Sequence, residues 1–150
     1  MSECYTCELT LGRDKNEAPL WDDIYRTQYW DVVHSYNSGL LGWLVLVVRR
    51  HIAAIDEMSA AEASELGLLM RRVSLALKEV TGCQKTYVLQ FAEHPQHPHV
   101  HFHIVPRMKN QPDDRRGTKI MGYLNPPEAD RIDEDAMNPF AKQIQLLLSN

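Results

Sequence analysis

Five of the seven histidines in this 150-residue chain, His94, His97, His99, His101 and His103, fall within the short stretch HPQHPHVHFH. From His97 to His103 they recur at every second position, with Val100, Phe102 and Ile104 interleaved or following. In a β-strand, residues two apart point to the same face and lie roughly 6.5–7 Å from each other. His99, His101 and His103 therefore line one face of a strand whose other face is apolar. Imidazoles gathered in a partly buried site titrate as a coupled set, because several adjacent cations are unfavourable. A desolvated member stays an unprotonated nucleophile near neutral pH, and a protonated neighbour can assist a leaving group. The same pattern could also serve as a metal cluster or a solvated strand face.

Cys4 and Cys7 form a second constellation, CYTC. A lone Cys-x-x-Cys fits zinc, a redox pair or chance, and no second pair follows to complete a four-cysteine site. Cys83 reads as a small buried residue. With three cysteines, an odd number, a disulfide framework is not the expectation.

The elements that must position these groups are legible in part. The segment from Ile24, IYRTQYWDVVHSYNSG, holds two extended pieces of a hairpin, with turn chemistry at Asn37 to Gly39. GWLVLVVRRH is an almost unbroken apolar run of strand length, as expected for a central strand covered on both faces. Ser59 and Glu62 have capping-box spacing and Gly82 offers a stop. Between them Leu66, Leu69, Met70, Val73 and Leu77 make one stripe of an amphipathic helix that should pack on the sheet. TYVLQF and HVHFHIVP read as two further strands joined by the proline-bearing loop HPQHP. Beyond Arg107 the composition turns loop-like until Asn138 and Pro139, which suit a cap and first-turn proline for a terminal helix over about 138–149. The expectation is one domain over 1–150 that packs these strands with one long helix and a C-terminal helix.

HVHFHIV followed by PR resembles the His-x-His-x-His-x-x signature of the histidine triad (HIT) family of nucleotide hydrolases and transferases. The order of hairpin, central strand, capped helix, strand and histidine strand is similar to that family's domain over about 4–107, and bacterial members described as diadenosine polyphosphate hydrolases look most alike; the resemblance implies an α+β fold, a mostly antiparallel sheet of about five strands packed with one long helix and a C-terminal helix, with its core over about 4–107. The resemblance implies that the middle histidine, His101, attacks the α-phosphate of a nucleotide. A nucleotidyl-histidine intermediate follows, which water hydrolyses. His103 would contact phosphate oxygens or the leaving group, and His99 completes the triad. A second register, starting at His97, loses the apolar residues after the third histidine and the alignment of VPR. The resemblance further implies nucleotide contacts from Asn37 and Gln90, with Gln96 standing in for a Gly-Gln-Ser or Gly-Gln-Thr loop that this chain lacks. Where many members have Gly-His, this chain has Gly42-Trp43. Some relatives bind a structural zinc through an N-terminal Cys-x-x-Cys, a histidine after the central strand and the first triad histidine; the counterparts are Cys4, Cys7, His51 and His99. A homodimer is the family's usual assembly.

Lys and Arg total 16 against 20 Asp and Glu, a formal charge of -4. Nothing in that balance favours nucleic acid or an anionic membrane. The longest apolar run is too short to span a bilayer and the first residues lack signal-peptide order, so a cytoplasmic location is expected. Two other readings share these residues: a nucleotide-binding regulatory protein with little turnover, and a zinc protein whose histidines are all ligands.

Overall fold

The computed structural model describes residues 3–150. A five-stranded antiparallel sheet is built from β1 (Tyr25–Arg26), β2 (Trp30–His34), β3 (Leu44–Val48), β4 (Lys85–Leu89) and β5 (His101–Arg107), in the order β1-β2-β3-β5-β4. β3 lies at the centre and all five of its residues are buried, as its unbroken apolar run demands.

Register assigns the two faces. Asp31, Val47 and His101 form one row across β2, β3 and β5, and Val33, Val45 and His103 form the next. The alternate residues Val32, Leu46, Phe102 and Ile104 point the other way, into the main core. There they meet α2 (Ala60–Thr81) and α3 (Glu134–Leu148). α2 starts and stops where its sequence says. The Ser59 hydroxyl accepts from the Glu62 N–H, the Glu62 carboxylate accepts from the Ser59 N–H, and Gly82 closes the helix in a left-handed conformation, φ 69°. Leu66, Leu69, Val73 and Leu77 are buried on the sheet and Met70 packs at their edge.

Two helices depart from expectation. α3 begins four residues earlier than Asn138 suggests, capped by the Asp133 carboxylate, and Pro139 falls inside it. Asn138 instead accepts the Trp21 N–H through its side chain, tying α3 to the 3-10 turn Leu20–Asp22. A further helix, α1 (Tyr5–Asp14), carries the two cysteines at its start. Its buried residues are Thr6, Thr10 and Arg13, so it turns a polar side inward and shows no apolar stripe. The inward side is satisfied by charge. Arg13 Nε lies 2.8 Å from Asp31, Nη1 3.0 Å from Asp22 and Nη2 3.1 Å from Thr10 Oγ1.

The second face of the sheet is covered by a smaller core of Val33, Trp43, Val45, Val47, Val105 and Ile120. Its lid is the stretch after Arg107, where the 3-10 turns over Gly117–Tyr123 are stitched to the β2–β3 loop by Gly39 N to Tyr123 O, 2.8 Å, and Asn125 N to Asn37 O, 3.2 Å.

Candidate active site and metal centre

Between α1 and that lid the sheet stays partly open, leaving a cleft of about 520 Å³, a size that suits a mononucleotide. Val33, Val45, Val47, His101 and His103 form its floor. Thr6, Leu9 and Arg13 of α1 make one wall, Met121, Leu124 and Asn125 the other, and Tyr36, Asn37, Phe91, His94 and His97 edge the mouth. Ala92, in the mouth loop, holds φ 57°, a left-handed conformation that costs a non-glycine residue.

Hydrogen bonds fix which nitrogen of each triad ring carries a proton. His101 Nδ1 lies 2.6 Å from the carbonyl oxygen of His99. A carbonyl only accepts, so Nδ1 is protonated and the Nε2 of neutral His101 keeps its lone pair. His103 is the reverse: the Trp43 indole N–H donates to its Nδ1 at 2.9 Å, so its proton sits on Nε2. The two rings stand edge to face with centroids 5.0 Å apart. Burial holds His101 below the usual histidine range and pushes His103 down to about 3, with His101's charge a smaller contribution. One face of the strand thus presents a lone pair beside an N–H donor, an arrangement able to attack and to stabilise an electrophilic oxyanion centre such as a phosphate.

Two other cleft histidines, His97 and His34, hold structure. His97 bridges α1 and the β2–β3 loop, 2.7 Å from Thr6 Oγ1 and 2.9 Å from Tyr36 Oη. His34 is buried, donates from Nδ1 to the Ser35 carbonyl at 2.8 Å and accepts the Gly42 N–H on Nε2 at 2.9 Å. Burial pushes its pKa to about 4, so it serves as a neutral brace for the loop above the cleft.

His99 leaves the cleft. Its Nε2–H donates to the Val48 carbonyl and its Nδ1 points at three other ligand-type atoms: Cys4 Sγ at 3.7 Å, Cys7 Sγ at 3.5 Å and His51 Nδ1 at 3.2 Å. Cys7 Sγ is 3.2 Å from His51 Nδ1, and all four atoms lie within 4.8 Å of one another. A tetrahedral zinc with bonds of about 2.3 Å to sulfur and 2.0–2.1 Å to nitrogen has edges of roughly 3.3–3.8 Å, and the four distances just given, 3.2 to 3.7 Å, lie close to that range. The His99 Nε2–H to carbonyl bond is the usual outer support of a metal-bound imidazole. Two thiolates and two imidazoles fill a zinc ion's four positions and leave none open.

Of the predicted nucleotide contacts, Asn37 lines the cleft and its side-chain N–H bonds the Asn125 side-chain oxygen. Gln90 stands just past β4, and its Nε2 is buried without a hydrogen-bond partner among the described residues. Gln96 is exposed outside the cleft; its carbonyl accepts the Tyr5 N–H and its own N–H reaches His94 Nδ1. Sequence reasoning missed the lid residues Met121, Leu124 and Asn125, the α1 wall, and Tyr36. Asn125 before two prolines is a turn signal, but nothing in it says what the turn covers.

The HIT domain family model matches residues 22–110, more than half of the chain. The chain belongs to the HIT domain family. Among solved structures it is similar to a histidine triad protein from Bradyrhizobium japonicum, with 24% identity, 89% of this chain and 92% of that chain covered, and a TM-score of 0.68. It is also similar to a zinc-bound histidine triad family protein from Mycobacterium smegmatis, with 14% identity, 97% and 95% covered, and a TM-score of 0.68. A third likeness is to the Plasmodium falciparum diadenosine triphosphate hydrolase in complex with cyclomarin A, with 16% identity, 84% and 75% covered, and a TM-score of 0.63. At these identities the likeness is one of fold. No curated protein matches significantly. For this HIT protein the α+β class, the five-stranded antiparallel sheet and the family resemblance all stand, and no described helix is long and apolar enough to cross a membrane.

Proposed function

We propose that this HIT protein is a nucleotide hydrolase or nucleotidyl transferase that cleaves at the α-phosphate of dinucleotide polyphosphates or nucleoside phosphoramidates. The observation that carries the reading is the opposite tautomers of His101 and His103 at the floor of a nucleotide-sized cleft. The His101 Nε2 lone pair forms a bond to the α-phosphorus while the bond from phosphorus to the leaving oxygen or nitrogen breaks and its electron pair departs with the leaving group, a phosphate leaving as its anion and an amine taking up a proton from water as it leaves. His103 Nε2–H donates to a non-bridging oxygen as negative charge builds there. Water then attacks the same phosphorus, the N–P bond returns its pair to His101, and a nucleoside monophosphate and a proton are released. Asn37, which lines the cleft, would hold the ribose hydroxyls, whereas Gln90 is not among the cleft-lining residues and its buried Nε2 has no part in this reading. Gln96 has no part in this reading.

Cys4, Cys7, His51 and His99 would hold one structural zinc. When bound, the ion supplies no catalytic position and serves to fix His99, whose carbonyl sets the His101 tautomer. The protein would act as a cytoplasmic homodimer. The edge strand β4 exposes Val88, with Phe91 just beyond it, and α2 exposes Leu68 and Leu75, an apolar surface suited to self-association; a monomer mass in light scattering would contradict this.

Steady-state turnover of an adenosine phosphoramidate and of diadenosine polyphosphate tests the reaction. The expected result is activity lost by at least about a thousandfold in His101→Ala with nucleotide binding retained. Wild-type protein that binds nucleotide but turns over neither substrate would favour the regulatory reading.

A further inference from the structure

We propose that Trp43 is a positioning residue that locks His103 in the Nε2–H form, making it a permanent neutral donor to the cleft. Trp43 is completely buried, and its Nε1–H meets His103 Nδ1 at 2.9 Å with the two rings edge to face at 79°. The backbone is shaped to bring the indole there. Gly42 turns the chain into β3 with φ 97°, and a Cβ at that position would lie 3.2 Å from Phe140 and from Pro106. The Trp43 carbonyl is then fixed by the Ser35 N–H at 2.9 Å.

An indole is the one side chain at this position that can only donate and carries no charge. A histidine, glutamine or hydroxyl there could donate or accept, and would let His103 change tautomer or take a second proton. With Trp43 in place, a proton arriving at Nδ1 would face the indole N–H, so charging His103 requires breaking the bond and leaving a buried donor unpaired. Around His103 the paired residues Val45 on β3 and Leu89 on β4 carry no charge, and among the described residues His101 is the one titratable ring that contacts it. It follows that His103 does not deliver a proton to the leaving group; it donates a hydrogen bond and remains neutral throughout. A leaving group that needs a proton must therefore take it from water, which favours substrates whose leaving group departs as a stabilised phosphate anion over those whose leaving amine must be protonated.

The kinetic part of this proposal rests on the hydrolase reading, but the tautomer does not. Long-range ¹H–¹⁵N spectra of histidine-labelled full-length protein should show His103 with Nδ1 unprotonated and Nε2 protonated, unchanged between pH 5 and pH 8. Trp43→Phe keeps an apolar ring but removes the donor, and should give His103 mixed tautomers and a titration inside that window. With diadenosine polyphosphate, kcat of Trp43→Phe should fall about tenfold to a hundredfold, KM should move far less, and an acid limb should appear in the pH profile. Trp43→His should recover part of kcat while keeping the new pH dependence. A protonated Nδ1 on wild-type His103, or a Trp43→Phe spectrum identical to wild type, would overturn the proposal. If Trp43→Phe fails to fold, the wild-type spectra decide alone. If no protein in the series turns over nucleotide while the spectra behave as stated, the hydrolase reading fails and the tautomer lock stands.

Discussion

His101 Nδ1 donates to the carbonyl oxygen of His99 at 2.6 Å, and the His99 ring in turn points its own Nδ1 at Cys4, Cys7 and His51. One hydrogen bond therefore joins the proposed metal centre to the proposed nucleophile. Any movement of the 99 peptide changes the carbonyl that keeps the His101 lone pair on Nε2.

That link predicts that metal and fold are coupled. Elemental analysis of protein purified without chelator should give one zinc per chain. Cys7→Ser should lose it and melt about 10 °C or more below wild type, since roughly 2–4 °C accompanies each kcal/mol in a chain of this size. The α1 wall of the cleft starts at this site, so nucleotide affinity, read by calorimetry, should weaken in the same variant. More than one zinc per chain would instead support histidines acting as ligands throughout.

The Arg13 network predicts a pH-dependent stability. Burial raises Asp22 to about 6, against the opposing attraction of Arg13. A carboxyl whose pKa is higher folded than unfolded binds its proton better in the folded state. Its stabilising effect is present below about pH 4 and is lost as pH rises through 6. Asp22→Asn, which keeps an acceptor for Arg13, should therefore gain on wild type between pH 4 and pH 7 by an amount on the order of 2–3 kcal/mol in urea denaturation. A constant difference across that range would mean that Asp22 stays ionised throughout.

Asn125 closes the far wall of the cleft. It holds φ 53° and its side chain bonds Asn37. Asn125→Ala loses that bond and strains a left-handed position, which should cost about 1–2 kcal/mol of stability. If Asn37 holds the ribose, the same variant should raise nucleotide KM severalfold with little change in kcat; an unchanged KM would separate Asn37 from the ligand.

What could be read from sequence divides along physical lines. α2 and β3 were legible because one has a capping box, an apolar stripe and a glycine stop, and the other an unbroken apolar run. The histidine strand was legible because alternation survives in β5. α1 was not, because it buries Thr6, Thr10 and Arg13 and satisfies them by ion pairs and hydrogen bonds, so its inward side looks like an outward one. The start of α3 was misplaced because Pro139 resembles a first-turn proline, while the real cap, Asp133, sits among other acids. The lid over the cleft has no periodicity at all. Its 3-10 turns are held by long-range bonds from Ser38, Gly39 and Asn37, which no local signal announces.

The central claim is that His101 is the nucleophile of this HIT protein, and peptide mass spectrometry tests it most directly. Protein mixed with an adenosine phosphoramidate and quenched within seconds should carry an AMP adduct on the segment from Phe91 to Arg107, localised to His101 and absent from His101→Ala. An adduct on His99 or His103, or turnover without any adduct on this segment, would contradict the account.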